Sequence, residues 1–149
     1  MSKIVAGLDI GNGYVKGSMY GDNLVAVDVP SCVAYVTNTH NLKEHDIDSV
    51  MEDIFNELDV SFESPLINDS YRRLFGIRGL QSGKAIEEFD VYSHISKAKQ
   101  PLTVMLTLGC LAGKALQDYW NKHHKLPDSQ LKVDVRIALA LPIDEFMKY

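Results

Sequence analysis

The apolar positions of this chain change period along its length. Ile4, Val5, Ala6 and Leu8 make a near-continuous apolar run, which predicts a buried strand over residues 3–9. Past Gly11, Asn12 and Gly13, the positions Tyr14, Val15, Ser18, Met19 and Tyr20 predict a second strand. Gly21, Asp22 and Asn23 are hairpin-turn residues, and Leu24, Val25, Ala26, Val27 and Val29 predict a third strand closed by Pro30. Successive hairpins of this kind make an antiparallel meander. Residues 37–44 are polar and read as loop. From 46 to 58 the period lengthens: Ile47, Val50, Met51, Ile54, Phe55 and Leu58 recur at helical spacing, and the acidic opposite face meets water. Val60, Phe62 and Leu66 alternate as a strand would as far as Asn68 and Asp69, and Tyr71, Leu74, Phe75 and Ile77 suggest another before Gly79. Pro101 suits the first turn of a helix. Leu102, Met105, Leu106, Gly109, Ala112, Gly113, Leu116 and Trp120 trace one face of that helix over about five turns. It ends in the polar residues 121–125 ahead of Pro127, and Val133, Val135, Ile137 and Leu139 alternate as a last strand.

Composition narrows the class. A chain of 149 residues can build one domain with a real core, and 46% hydrophobic with 23% charged residues is the balance of a soluble globular protein. A net charge of -5 argues against broad nucleic-acid binding. Cys32 and Cys110 lie far apart with no metal-ligand spacing, so both read as reduced core thiols. The N-terminal apolar run is too short for a signal peptide, and no stretch approaches the ~20 apolar residues of a membrane helix. A cytoplasmic protein is expected.

The stretch DIGNGYVK, residues 9–16, carries the candidate chemistry. A phosphate site needs backbone N–H groups that can approach oxygens closely, and glycine permits that approach. Gly11, Asn12 and Gly13 would supply the amides. Asp9 at the strand end could orient water around a divalent metal, because magnesium keeps several waters and takes few protein carboxylates. Lys16, on the same strand face as Tyr14, would be a point charge for phosphate oxygens. The plain alternative is a hairpin turn. Strand, glycine turn and two further antiparallel strands is not the strand–loop–helix of a P-loop or Rossmann fingerprint, and neither of those motifs is present.

The same residues resemble the first phosphate loop of the actin, Hsp70 and sugar-kinase superfamily. More narrowly, GLDIGNGYVKG is similar to the N-terminal motif of the bacterial and archaeal actin-like ATPases, including the ParM/StbA-type plasmid-segregation proteins. Val29-Pro30-Ser31 matches the Pro-Ser that follows their third strand, Leu74-Phe75-Gly76 with Ala85 resembles a hydrophobic-Gly segment, and residues 133–146 resemble the strand and LPxxEF turn that end their first half. The resemblance implies an α/β domain of the actin-like, ribonuclease H-like type, with a mixed sheet of about five strands. It places the core in residues 1–36 and 98–149 and an inserted small subdomain in about 37–97. It implies ATP and Mg2+ as cofactors, with Asp9 catalytic through metal-bound water and Gly11, Asn12, Gly13, Tyr14 and Lys16 binding the nucleotide. It implies self-association into filaments, a possible DNA-adaptor partner, no direct nucleic-acid contact and no membrane. Because the family's second phosphate loop and adenosine motif follow the LPxxEF turn, the chain reads as a first domain with the second nucleotide-binding domain absent. The 149 residues alone are therefore expected to hydrolyse ATP poorly. Two alternatives stand beside this reading: the first domain of a sugar- or acetate-kinase-like phosphotransferase, and a non-enzymatic binding module.

Other features have bland readings next to sharp ones. Asp144 and Glu145 could be an acid/base pair, or structural parts of a turn. His123 and His124 could bind metal, but adjacent histidines at a helix end point apart and complement the helix dipole. Gly109-x-x-x-Gly113 could be a helix-dimer face, or could let the helix lie close to a sheet. Arg72, Arg73 and Arg78 are the basic cluster, a filament or adaptor contact if functional and a solvated strand edge otherwise.

Overall fold

A computed structural model describes residues 2–37, 44–92 and 95–140. The N-terminal meander forms as the pattern predicts: β1 (Ser2–Ile10), β2 (Tyr14–Tyr20) and β3 (Leu24–Pro30) pair antiparallel in sequence order. The next strand, β4 (Cys32–Val36), leaves that sheet. It is followed by α1 (Ile47–Glu52), α2 (Ile54–Glu57), β5 (Asp59–Val60), β6 (Arg72–Phe75), α3 (Gly76–Leu80) and β7 (Ala85–Glu88). The long helix α4 (Pro101–His123) then leads to β8 (Val133–Ala140), which pairs parallel with β1. The two sheets have orders β3-β2-β1-β8 and β5-β6-β4-β7. The first is mixed and, among the described residues, has four strands against the expected five or so. The second is wholly antiparallel.

Strand alternation decides which face of the mixed sheet is covered. Ile4, Ala6, Leu8 and Ile10 of β1, Val15 and Met19 of β2, and Val27 and Val29 of β3 are all buried on one face. They join Leu102, Met105, Leu106 and Cys110 of α4 and Ile54 and Phe55 of α2 in a single core. Helix α4 ends where His124 turns left-handed (φ 52°), its N–H bonded 2.8 Å to the Trp120 carbonyl. A Cβ at Gly109 of α4 would strike the Phe75 ring, and one at Gly113 would come within 3.4 Å of Phe55 and Leu58, so this pair lets the helix lie close to β6 and α2. Both cysteines are buried and free. Burial pushes the Cys110 thiol up to about 12, and burial with the nearby Glu88 charge raises that of Cys32.

Three segments depart from expectation. The helix over 46–58 is two short ones, because Asp53 (φ -132°, ψ 51°) breaks it and bonds forward through its carbonyl to Asn56 N–H (3.0 Å) and through its carboxylate to the Asn56 amide (3.1 Å). Its apolar positions still face the core: Met51, Ile54, Phe55 and Leu58 are buried. The strand over 60–69 stops at Val60, which pairs with Arg73 near the start of β6, and further on Ser64 folds the chain back with Ile67 N–H on its carbonyl (3.1 Å). That turn exposes Leu66 and buries Ile67, reversing the expected phase. Residues 32–36, expected with the core unit, pair instead in the second sheet. The LPxxEF turn, with Asp144 and Glu145, and most of the 37–44 loop lie outside the described residues.

Candidate functional site

The β1–β2 turn is built by three bonds. Gly11 N–H donates to the Tyr14 carbonyl (3.0 Å), the Ser31 hydroxyl donates to the Gly11 carbonyl (2.6 Å), and Ser31 N–H donates to the Gly13 carbonyl (2.9 Å). A Cβ at position 11 would strike the Tyr14 carbonyl oxygen, so the turn requires glycine there. The Gly11 amide is thus committed inside the turn. Asn12 and Gly13 are exposed, and among the described residues their amides have no bonded acceptor.

Beside the turn lies the face of the mixed sheet that α4 does not cover. Register sets Asp9 opposite Lys16 and Lys16 opposite Asp28, in one row across three strands of that face. Below them come Ala138, Gly7, Ser18 and Ala26, a row of small side chains. Tyr14 is 54% exposed, with the Lys16 ammonium 5.9 Å from its ring centre. The structure therefore brings Asp9, Asn12, Gly13, Tyr14 and Lys16 to one exposed end of the sheet, and gives Gly11 a conformational part. An anion over the turn would meet free amides and one lysine. Among the described residues no group of three or more His, Cys, Asp or Glu side chains could hold a metal. Two exposed carboxylates, Asp9 and Asp28, flank Lys16 in that row, and Asp9 is the one whose strand runs into the turn. So few carboxylates suit a largely hydrated magnesium carried by phosphates, and do not suit a cation caged by protein alone.

The other candidates resolve structurally. Arg73 is 2% exposed, bonded to Asp69 through both terminal nitrogens (2.8 and 3.0 Å), with its guanidinium 4.3 Å from the Tyr35 ring. Those bonds hold the Asp69 carboxyl below its ordinary range, against the opposing effect of burial. Arg72 pairs with Asp59, and Arg78 donates to the Glu57 carbonyl (3.1 Å). The basic cluster is therefore neither a solvated edge nor an open docking patch; its charges are largely spent inside the second sheet. His123 stacks on Tyr119 with ring centres 4.3 Å apart while His124 forms the helix cap, so the two diverge. A cavity of about 530 Å³ lies between the β2–β3 turn, the end of α4 and residues 130–132, away from the β1–β2 turn.

Sequence reasoning missed two polar residues. Ser31 was visible only as half of a Pro-Ser pair. Lys114 sits on the buried face of α4, 0% exposed, where a helical-period reading scores it as polar and passes over it.

A three-strand antiparallel meander, a parallel neighbour of its first strand reached through a long helix, and an antiparallel second sheet between them in sequence define an actin-like α/β fold. Among the solved structures similar to this chain are several of ParM. Bacillus thuringiensis ParM with ATP matches at a TM-score of 0.62 and 16% identity over 98% of this chain and 36% of its own. The apo psk41 ParM protein matches at 0.54 and 23% identity over 97% of this chain and 38% of its own. A 15-stranded ParM filament from Clostridium botulinum matches at 0.51 and 18% identity over 99% and 37%. The chain thus spans little more than a third of the length of these proteins, and the likeness is one of fold. No protein-family model matches the chain, and no curated protein does.

Proposed function

We propose that this chain is the N-terminal, phosphate-loop half of the nucleotide cleft of a filament-forming, ParM-type ATPase acting in plasmid segregation in the cytoplasm. The observation that carries the reading is the β1–β2 turn: exposed, unbonded amides at Asn12 and Gly13 beside Lys16 and Asp9, at the end of an actin-like sheet. The similar ParM structures with ATP and in filament form support a nucleotide and self-association for the longer protein. A DNA-adaptor partner belongs to the same proposal. So does the division into a core of residues 1–36 and 98–149 and an inserted subdomain of about 37–97, with β4 at the boundary pairing into the second sheet. In this reading Asp9 orients metal-bound water, Asn12 and Gly13 donate to phosphate oxygens, Lys16 offsets their charge and Tyr14 borders the site. Magnesium, when bound with the nucleotide, would neutralise phosphate charge.

Calorimetric titration tests this. The 149-residue chain is expected to bind Mg·ATP weakly, to bind adenosine far more weakly still, and to hydrolyse ATP at or near background, since the described residues hold only one side of a phosphate site. Equal affinity for ATP and adenosine, or rapid magnesium-dependent turnover, would contradict it.

A further inference from the structure

We infer that Ser31 is a positioning residue for phosphate, the group that aims the Asn12 amide outward. The inference rests on the phosphate-loop reading above and adds a residue to it. Ser31 stands where the chain passes from β3 into β4, between Pro30 and Cys32, and is 2% exposed. Its hydroxyl donates to the Gly11 carbonyl at 2.6 Å and its amide to the Gly13 carbonyl at 2.9 Å, so one buried residue grips the turn at both of its glycines.

Peptide geometry converts that grip into a direction. In a trans peptide the carbonyl of one residue and the N–H of the next point opposite ways, and no described peptide bond is cis. Drawing the Gly11 carbonyl inward to Ser31 therefore turns the Asn12 N–H outward, to the exposed side. The hydroxyl bond also polarises the 11–12 peptide and strengthens its N–H as a donor. Removing the hydroxyl frees that peptide plane to rotate, because glycine at position 11 imposes little preference of its own. The bond from Ser31 N–H to Gly13 would remain, so the strand crossing should survive.

The experiment compares the wild-type chain with Ser31→Ala by amide-resolved NMR, using Mg·tripolyphosphate and Mg·ATP as probes. Ser31→Ala is expected to move the Asn12 amide signal in the ligand-free protein. It is expected to weaken tripolyphosphate affinity about tenfold while hydrogen exchange at the core amides of Ala6 and Leu8 stays unchanged. Affinity equal to wild type overturns the inference. So does an affinity loss matched by faster exchange at Ala6 and Leu8, which is the mark of a general loss of fold. If the wild-type chain binds neither probe, the phosphate-loop reading fails, and the ligand-free Asn12 signal still decides whether Ser31 sets the turn.

Discussion

Replacing Lys114 by alanine is expected to lower the stability of this domain by roughly 3–5 kcal/mol, a large part of what a small domain has. Its side chain is fully buried, and the ammonium bonds at 2.8 Å to the Asn23 side-chain carbonyl and at 2.5 Å to the Asp118 carboxylate one helical turn on. The other Asp118 oxygen accepts the Asp22 N–H at 3.2 Å, so the pair ties α4 to the β2–β3 turn. Taking away the lysine would leave Asp118, 12% exposed, with its charge unpaired in the fold. Most of the cost is that uncompensated carboxylate, with lost packing of the lysine stem adding to it. The double variant Lys114→Met with Asp118→Leu, which removes both charges and keeps volume, should recover much of the loss. Urea denaturation of the two variants and the wild type measures this. A loss under about 1 kcal/mol for Lys114→Ala would show that the pair is dispensable.

Replacing Asp9 by alanine is expected to act on the ligand and to spare the fold. Asp9 is exposed at the end of β1, so its loss should change stability by no more than about 0.5 kcal/mol. In the proposed site its carboxylate orients the water shell of a magnesium ion brought by the nucleotide. Magnesium should therefore strengthen ATP binding to the wild-type chain and have much less effect on Asp9→Ala. In a protein carrying both halves of the cleft, the same change should nearly abolish hydrolysis while affinity falls less, because charge on the phosphates rearranges in the transition state. Melting curves and ATP titrations with and without magnesium read both effects. A variant destabilised by about 1 kcal/mol with an undiminished magnesium effect would mean that Asp9 only satisfies local turn amides.

The parts of this fold that were legible in sequence are those where local pattern and tertiary packing agree. The apolar residues of β1 alternate onto the covered face, turn residues separate the meander strands, and Pro101 begins a helix whose apolar stripe meets the sheet. Strands that owe their existence to partners were not legible. The sequence of β7 is Ala85-Ile86-Glu87-Glu88, with little strand propensity of its own, and it is held by pairing along β4. Strand β4 was hidden because Pro30 looks like an ending, whereas Pro30 and Ser31 mark a crossing from one sheet to the other. In the candidate site the chemistry-bearing types at residues 9–16 were readable from spacing alone. Which amides are free was not, since that depends on Ser31, 18 residues beyond Gly13 and buried beneath the turn.

In the proposed function the turn at residues 11–13 holds nucleotide phosphates. Titrating the isotope-labelled chain with Mg·ATP, and following every backbone amide, tests it most directly. Saturable shifts should concentrate at Asn12 and Gly13, should be reproduced by Mg·tripolyphosphate, and should be absent with adenosine. Shifts centred instead on the cavity beside the β2–β3 turn, around Asp22, Tyr119 and Lys132, with Asn12 and Gly13 unmoved, would contradict the account.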